Sequence, residues 1–301
     1  MAINIGISLI AWQNDDLPEL TKDFTTDGAM KDASAIGYQG VERGRYMPAD
    51  TNGLRTYLDR YHVALCGGWC SGNLLVNDVS TEIAAIQNQV DQFAALKAPC
   101  IVYAECSNTI QGERFIPVSR RPKFSRDEIF AYGKKLSEVA KWSNDCGVVL
   151  SYHHHMGAII QDADDIDWLM EGSSDELTLL YDTGHLYFAG VDLLSVLNKW
   201  GNRIHHVHFK DVRPSVLNWV RTSDKSFLDG VAEGVFSVPG DPEGAIDFQG
   251  IVDQLKKMEY DGWIVVEAEQ DPAKAPPFKY SKIGYETIRG HCAQAGLSIK
   301  T

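Results

Sequence analysis

The chain carries few of the marks that identify nucleotide-binding, membrane or disulfide-bonded proteins. No GxGxxG follows the first apolar run, and no P-loop or GxSxG occurs in the 301 residues. The usual signatures of dinucleotide binding, phosphoryl transfer and serine-hydrolase chemistry are therefore missing. Positive charge is also short. Lys and Arg number 28 against 41 Asp and Glu, for a formal net charge of -13 and a pI near 5.1. That balance repels phosphate, so neither nucleic acid nor an anionic membrane is expected as a partner. The six cysteines (66, 70, 100, 106, 146 and 292) form no CxxC pair. They read as reduced core thiols, with Cys66 and Cys70 a weak metal pair at most. No apolar run has the length of a membrane span, and MAINIGISLIAW has no basic flank of the kind a signal peptide carries. The expected location is the cytoplasm.

What is present is alternation. Short β-branched and apolar runs at INIGISLI (3–10), YQGVE (38–42), VALCGGW (63–69), PCIVYAEC (99–106), GVVLSYHHH, ELTLLYDTG, RIHHVHFKD and GWIVVEAE alternate with segments of helical periodicity. The clearest of these is 78–98, where Val79, Ile83, Ile86, Val90, Phe93 and Leu96 form one stripe. A long stretch from Val212 to Ile246, rich in Gly, Pro and Asp, reads as an excursion. Strand–helix alternation implies a parallel sheet with right-handed crossovers. Eight units in this length predict a (β/α)8 TIM barrel, one α/β domain over residues 1–301. A doubly wound open sheet is the runner-up.

Four of the later strand candidates end on metal-binding residue types. They carry His153, His154 and His155; Asp182 and His185; His206, His208 and Lys210; and Glu267 and Glu269. Seven of the nine histidines lie in the first three of these segments, although histidine is not a preferred core residue. Any one of them has a plain explanation as a loop start, a turn or an ion pair. Four at the same end of consecutive strands point to a cation at the barrel mouth, where barrel chemistry sits. If the polar member of each strand faces inward, the set is His153, Asp182, His208 and Glu267. A mixed imidazole and carboxylate set suits Mn2+, Co2+, Zn2+ or Fe2+. Lys210, His155, Glu42 and Glu269 are the candidates for proton transfer. For Lys210 the alternative is an ion pair with Asp211 or Glu269, and for Glu42 a capping or salt-bridging role. Trp12, Asn14 and Asp15 read as a sugar platform with hydroxyl-binding groups, or as ordinary packing over the barrel's end. His185 completes the candidate substrate contacts.

The motifs HVHFKD, YDTGH and VVEAE resemble the xylose-isomerase-like barrel superfamily of sugar isomerases, epimerases and dehydratases. Its members hold a divalent metal with Glu, Asp, His and Glu from successive strands. Asp182, His208 and Glu267 match the last three, and His153 stands where many members have Glu. AWQNDD, GYQGVE, SYHHHMG, YDTGH, HVHFKD and VPGDPEGAIDF together resemble the inosose dehydratases over nearly the whole chain. The resemblance implies dehydration of 2-keto-myo-inositol to a diketone with Mn2+ or Co2+, and an association with glutathione. The implied partner is a small polyol-derived ketone; homo-oligomerisation is left open. The competing expectation is a ketose 3-epimerase or isomerase, which shares the barrel, metal and enolate chemistry.

Overall fold

The computed structural model describes residues 2–300. Its strands are β1 (Ala2–Ile7), β2 (Gly40–Glu42), β3, β4 (Cys100–Glu105), β5 (Val149–His153), β6 (Thr178–Asp182), β7 (Ile204–Phe209) and β8 (Trp263–Val266). β3 runs in two segments, Ala64–Gly67 and Trp69–Gly72, on either side of Gly68. Each strand bonds its successor in parallel, and β8 returns to β1. The first half of β3 pairs with β2 and the second with β4, so the circuit closes into a barrel. The expected (β/α)8 architecture is the observed one. The open-sheet alternative fails because the last strand, β8, bonds β1 and the two halves of β3 bond β2 and β4, which leaves no edge strand.

Helices fill the outer layer, beginning with α1 (Thr26–Ile36) and α2 (Thr51–Tyr61). In α3 (Val79–Leu96), Ile86, Val90 and Phe93 are buried, with Val79, Ile83 and Leu96 partly buried against the same core. The stripe faces the barrel because its members recur every three or four residues. Each fully buried side chain of this kind contributes roughly 1.5–3 kcal/mol. The helix starts where the Asp78 side chain accepts from the Thr81 N–H, and it ends at Lys97 in a left-handed conformation. α4 (Arg126–Asp145) begins with a capping box between Ser125 and Glu128.

The excursion after β7 is more ordered than its composition suggests. Val212–Ile246 contains α5 (Pro214–Thr222) and α6 (Phe227–Glu233), and Phe236–Ser237 pairs antiparallel with Asp211–Val212. Leu217, Val220, Phe227, Val231 and Phe236 make a second apolar core together with Leu17, Met156 and Phe188. Pro at the start of α5 and Gly after α6 are punctuation, not disorder. The excursion folds because it buries its own apolar face over one side of the barrel mouth. No described helix is long and apolar enough to cross a membrane.

Candidate metal centre and active site

Strand register builds the site. Asp182 on β6 lies directly beside His208 on β7, and His208 in turn is the partner of Val265 on β8, two residues before Glu267. His153 ends β5 beside Leu180 of β6. With inward and outward side chains alternating along each strand, neighbouring strands deliver one polar group each to the same depth. One nitrogen or oxygen from each of His153, Asp182, His208 and Glu267 lies within 4.8 Å of the other three, and all four residues are buried.

Hydrogen bonds fix which atoms face inward. His153 Nδ1 donates to the His154 carbonyl at 2.5 Å, so Nε2 carries the lone pair, 3.7 Å from Asp182 Oδ2. His208 Nε2 donates to Glu42 Oε1 at 2.9 Å, which turns Nδ1 towards Glu267 Oε2 at 3.0 Å and Asp182 Oδ2 at 3.5 Å. Asp182 Oδ1 accepts the His185 N–H at 2.8 Å, capping the helix Thr183–Ala189. Its Oδ2 is buried and has no hydrogen-bond partner among the described residues. An orphaned carboxylate oxygen inside a barrel is costly. Two imidazole nitrogens, His153 Nε2 and His208 Nδ1, and a second carboxylate around it make a donor set for a divalent cation of the Mn2+, Co2+, Fe2+ or Zn2+ class. The residues therefore fit a metal.

The charges are strongly coupled. Burial opposes the charge on His208, but Glu267 and Glu42 outweigh it and hold its pKa well above the ordinary value. Burial opposes ionisation of Glu267 too, yet His208 and Lys210 keep it well below the usual carboxylate range. Burial, reinforced by His208 and His155, holds His153 neutral.

A cavity of about 260 Å3 opens above the cluster. Its floor and walls include His153, His155, His208, Glu267, Glu269 and Asp16. His155 Nδ1 donates to the Met156 carbonyl at 2.8 Å, leaving Nε2 with the lone pair. Burial, with help from the Lys210 charge, lowers the His155 pKa to about 4. Glu269 is raised to about 8 by burial, against the pull of Lys210 and with the repulsion of Glu267 and Asp16. Asp16 is raised to about 6, again first by burial.

Several expected residues take other places. Trp12 is 1% exposed and donates from Nε1 to Asp32 Oδ2 at 2.9 Å. It is a core side chain, not a sugar platform. Asn14 is buried in its own loop, accepting from the Asp16 and Leu17 N–H groups at 3.0 and 2.9 Å. Its amide shapes the loop and does not line the cavity. Asp15 does line it, at the rim, 4.0 Å from Arg45. His185 sits behind the wall, its ring centroid 4.0 Å from that of His155 and its Nε2 3.3 Å from Lys210 Nζ. Lys210 is wholly buried. Its Nζ lies 2.7 Å from Glu267, 2.8 Å from Glu269 and 3.6 Å from Asp182. Burial disfavours its charge, but these carboxylates hold its pKa well above the ordinary value. That geometry is the ion-pair alternative and not a poised base. Glu42 touches the cavity, but its Oε1 is taken by His206 and His208.

Trp69 and Asp16 are among the cavity residues that escaped the sequence reading. Trp69, 39% exposed, packs edge-on to His153 and His155 at centroid distances of 5.8 and 5.9 Å. Its place at a strand end was the available signal. Asp16 adjoins Asp15 in the Asn-Asp-Asp run. Nothing in the spacing told which of the two carboxylates turns inward.

The fold and site together place the chain in a class. Residues 30–290 match the family model of the xylose isomerase-like TIM barrel, and the chain belongs to that family. Within it, the chain is 40% identical over 301 residues to the rhizopine catabolism protein MocC of Rhizobium meliloti, covering 100% of this chain and 92% of that one. It is also 40% identical over 283 residues to an inosose dehydratase of Lacticaseibacillus casei, covering 93% of this chain and 94% of the other. Among solved structures, the IolI protein with a bound zinc atom superposes with a TM-score of 0.67 at 14% identity, covering 97% of this chain and 99% of that one.

Proposed function

We propose that the chain is a metal-dependent hydro-lyase that removes water from a cyclic polyol ketone of the 2-keto-myo-inositol type and yields a diketone. The observation that carries this reading is the convergence of His153, Asp182, His208 and Glu267 around an unsatisfied carboxylate oxygen at the floor of a ring-sized cavity. Full-length similarity to inosose dehydratases supports the substrate class. Mn2+ or Co2+ is the metal assigned here, with Zn2+ and Fe2+ accepted by the same mixed donors. A bound divalent ion supplies Lewis acidity towards a ketone oxygen, which acidifies the neighbouring C–H bond.

The protein groups divide the proton work. His155 Nε2, with its lone pair free and on the cavity wall, takes the α-proton. The electron pair of that C–H bond moves into the ring. Glu269, also on the wall, gives its proton to the β-hydroxyl, which leaves as water with the C–O electron pair. The resulting enol ketonises to the diketone, and no electrons enter or leave overall. Lys210, 2.8 Å from Glu269 Oε1, fixes the orientation of that carboxyl. Trp69 and the Leu17-anchored loop carrying Asp15 and Asp16 close the sides.

The test is chelation followed by reconstitution. Metal-free protein should not act on scyllo-inosose, and Mn2+ or Co2+ should restore an ultraviolet-absorbing diketone product. Exchange or inversion at the α-carbon without loss of water would instead identify an epimerase. Full turnover of the metal-free protein would remove the metal from the reading altogether.

A further inference from the structure

Glu42 belongs to β2, and His206 and His208 belong to β7, with β1 and β8 between them in the barrel. These strands are not neighbours, so the contact between them crosses the lumen. A single atom, Glu42 Oε1, accepts from His206 Nε2 at 3.0 Å and from His208 Nε2 at 2.9 Å. The two imidazoles are one inward step apart on β7, their ring centroids separated by 5.4 Å. The Glu42 side chain is buried. The nearby Cys66 and Cys100 thiols are also buried.

This arrangement settles a choice that His208 cannot make alone. A neutral imidazole carries its proton on either nitrogen, and only the unprotonated one binds a cation. With an anionic acceptor at Nε2, that proton stays in place, and Nδ1, which faces Glu267 at 3.0 Å and Asp182 at 3.5 Å, is the nitrogen left to bind a cation. His206 occupies the other side of the same oxygen and keeps the carboxylate from swinging towards the cavity. We infer that Glu42, held by His206, is a positioning residue for the metal centre: it locks His208 in the tautomer that presents Nδ1 to the cation. This extends the metal-binding reading above and rests on it. It also moves Glu42 out of the proton-transfer set, because the oxygen that would do that work is already engaged.

The test is metal affinity, measured by chelator competition with Co2+ or Mn2+ on the full chain, beside thermal melting of the metal-free protein. Glu42→Gln keeps a neutral acceptor, and Glu42→Met removes the acceptor. An outer carboxylate behind a metal-bound histidine typically changes affinity 10–100-fold. Glu42→Met is expected to weaken binding by about that factor, and Glu42→Gln by less. The Co2+ absorption spectrum of Glu42→Met should shift with the altered ligand field. His206→Gln, which removes the second tie on the carboxylate, should weaken binding by a smaller factor than Glu42→Met. If the wild-type chain binds metal and both Glu42 variants bind it equally tightly with the same spectrum, the inference is overturned. If the wild-type chain itself binds none, the underlying reading fails instead. Should Glu42→Met not fold, Glu42→Gln with wild-type affinity and spectrum refutes the inference on its own.

Discussion

Asp182→Asn separates the proposed metal role of this residue from its structural one. The two oxygens of Asp182 differ: Oδ1 caps a helix through the His185 N–H at 2.8 Å, and Oδ2 is buried without a hydrogen-bond donor among the described residues. Asn and Asp are equivalent at a helix N-cap, so the amide oxygen preserves the cap. The amide nitrogen then replaces Oδ2 and sets donors 3.5–3.7 Å from His208 Nδ1 and His153 Nε2. In the metal-free protein this removes a buried carboxylate oxygen that has no hydrogen-bond donor among the described residues, but it also withdraws one of the three carboxylates facing Lys210 Nζ, at 3.6 Å. The two effects oppose, and the melting temperature should stay near that of the wild type. Towards a cation the same change deletes a ligand and points N–H groups at the ion. Loss of an outer carboxylate already costs 10–100-fold in affinity. Loss of a direct ligand should exceed the upper figure, which is more than about 2.7 kcal/mol. Turnover should fall in step. Asp182→Ala is the control: it loses the cap as well and should cost the metal-free fold about 1 kcal/mol. Competition titration and calorimetric melting read both quantities. An Asp182→Asn protein that binds Co2+ within threefold of wild type would falsify the metal assignment.

Lys210→Met should leave metal bound but strand Glu267 and Glu269 without their buried partner. A destabilisation of about 3–5 kcal/mol in urea unfolding, with a lower kcat, is expected; an unchanged unfolding midpoint would show the ion pairs to be inert. Trp69→Ala removes an aromatic wall beside His153 and His155 and should raise KM more than it lowers kcat, as steady-state kinetics will show. Asp211 offers a pH test in the metal-free protein. Burial raises it from 3.8 to about 6 despite three backbone N–H donors from Val212, Ala245 and Ile246. A carboxyl with a raised folded pKa contributes stability below its unfolded pKa and loses it as pH climbs towards about 6. That loss is worth about 3 kcal/mol. Asp211→Asn keeps the acceptor and lacks the charge, so its stability relative to wild type should improve between pH 4 and 6 and then level off. Parallel wild-type and variant curves across that range would refute the account.

The sequence alone determined the architecture and the four residues, His153, Asp182, His208 and Glu267, that meet at the barrel mouth, and the reason is periodicity. Strands alternate with period two and helices with period near 3.6, so the runs announce their class and their inward positions. HVH and VVEAE each place two polar groups on the inward face, His206 with His208 and Glu267 with Glu269, and the parallel order of the strands brings those ends to one mouth. Tertiary structure decided everything that depends on loops and on second partners. Asn14, Asp15 and Asp16 are adjacent in sequence, yet only the turn built on the Asn14 amide directs Asp16 inward and keeps Asn14 itself out of the cavity. Trp12 and Trp69 are alike as residue types. Trp12 found Asp32 in the core, while Trp69 was left on the wall. Lys210 and Glu42 were recognisable as charges near the mouth. Whether each moves a proton or holds a neighbour depends on which atoms lie within 3 Å, and those belong to strands distant in the chain. Local pattern fixes direction along a strand; it carries no record of what the opposite wall of the barrel presents.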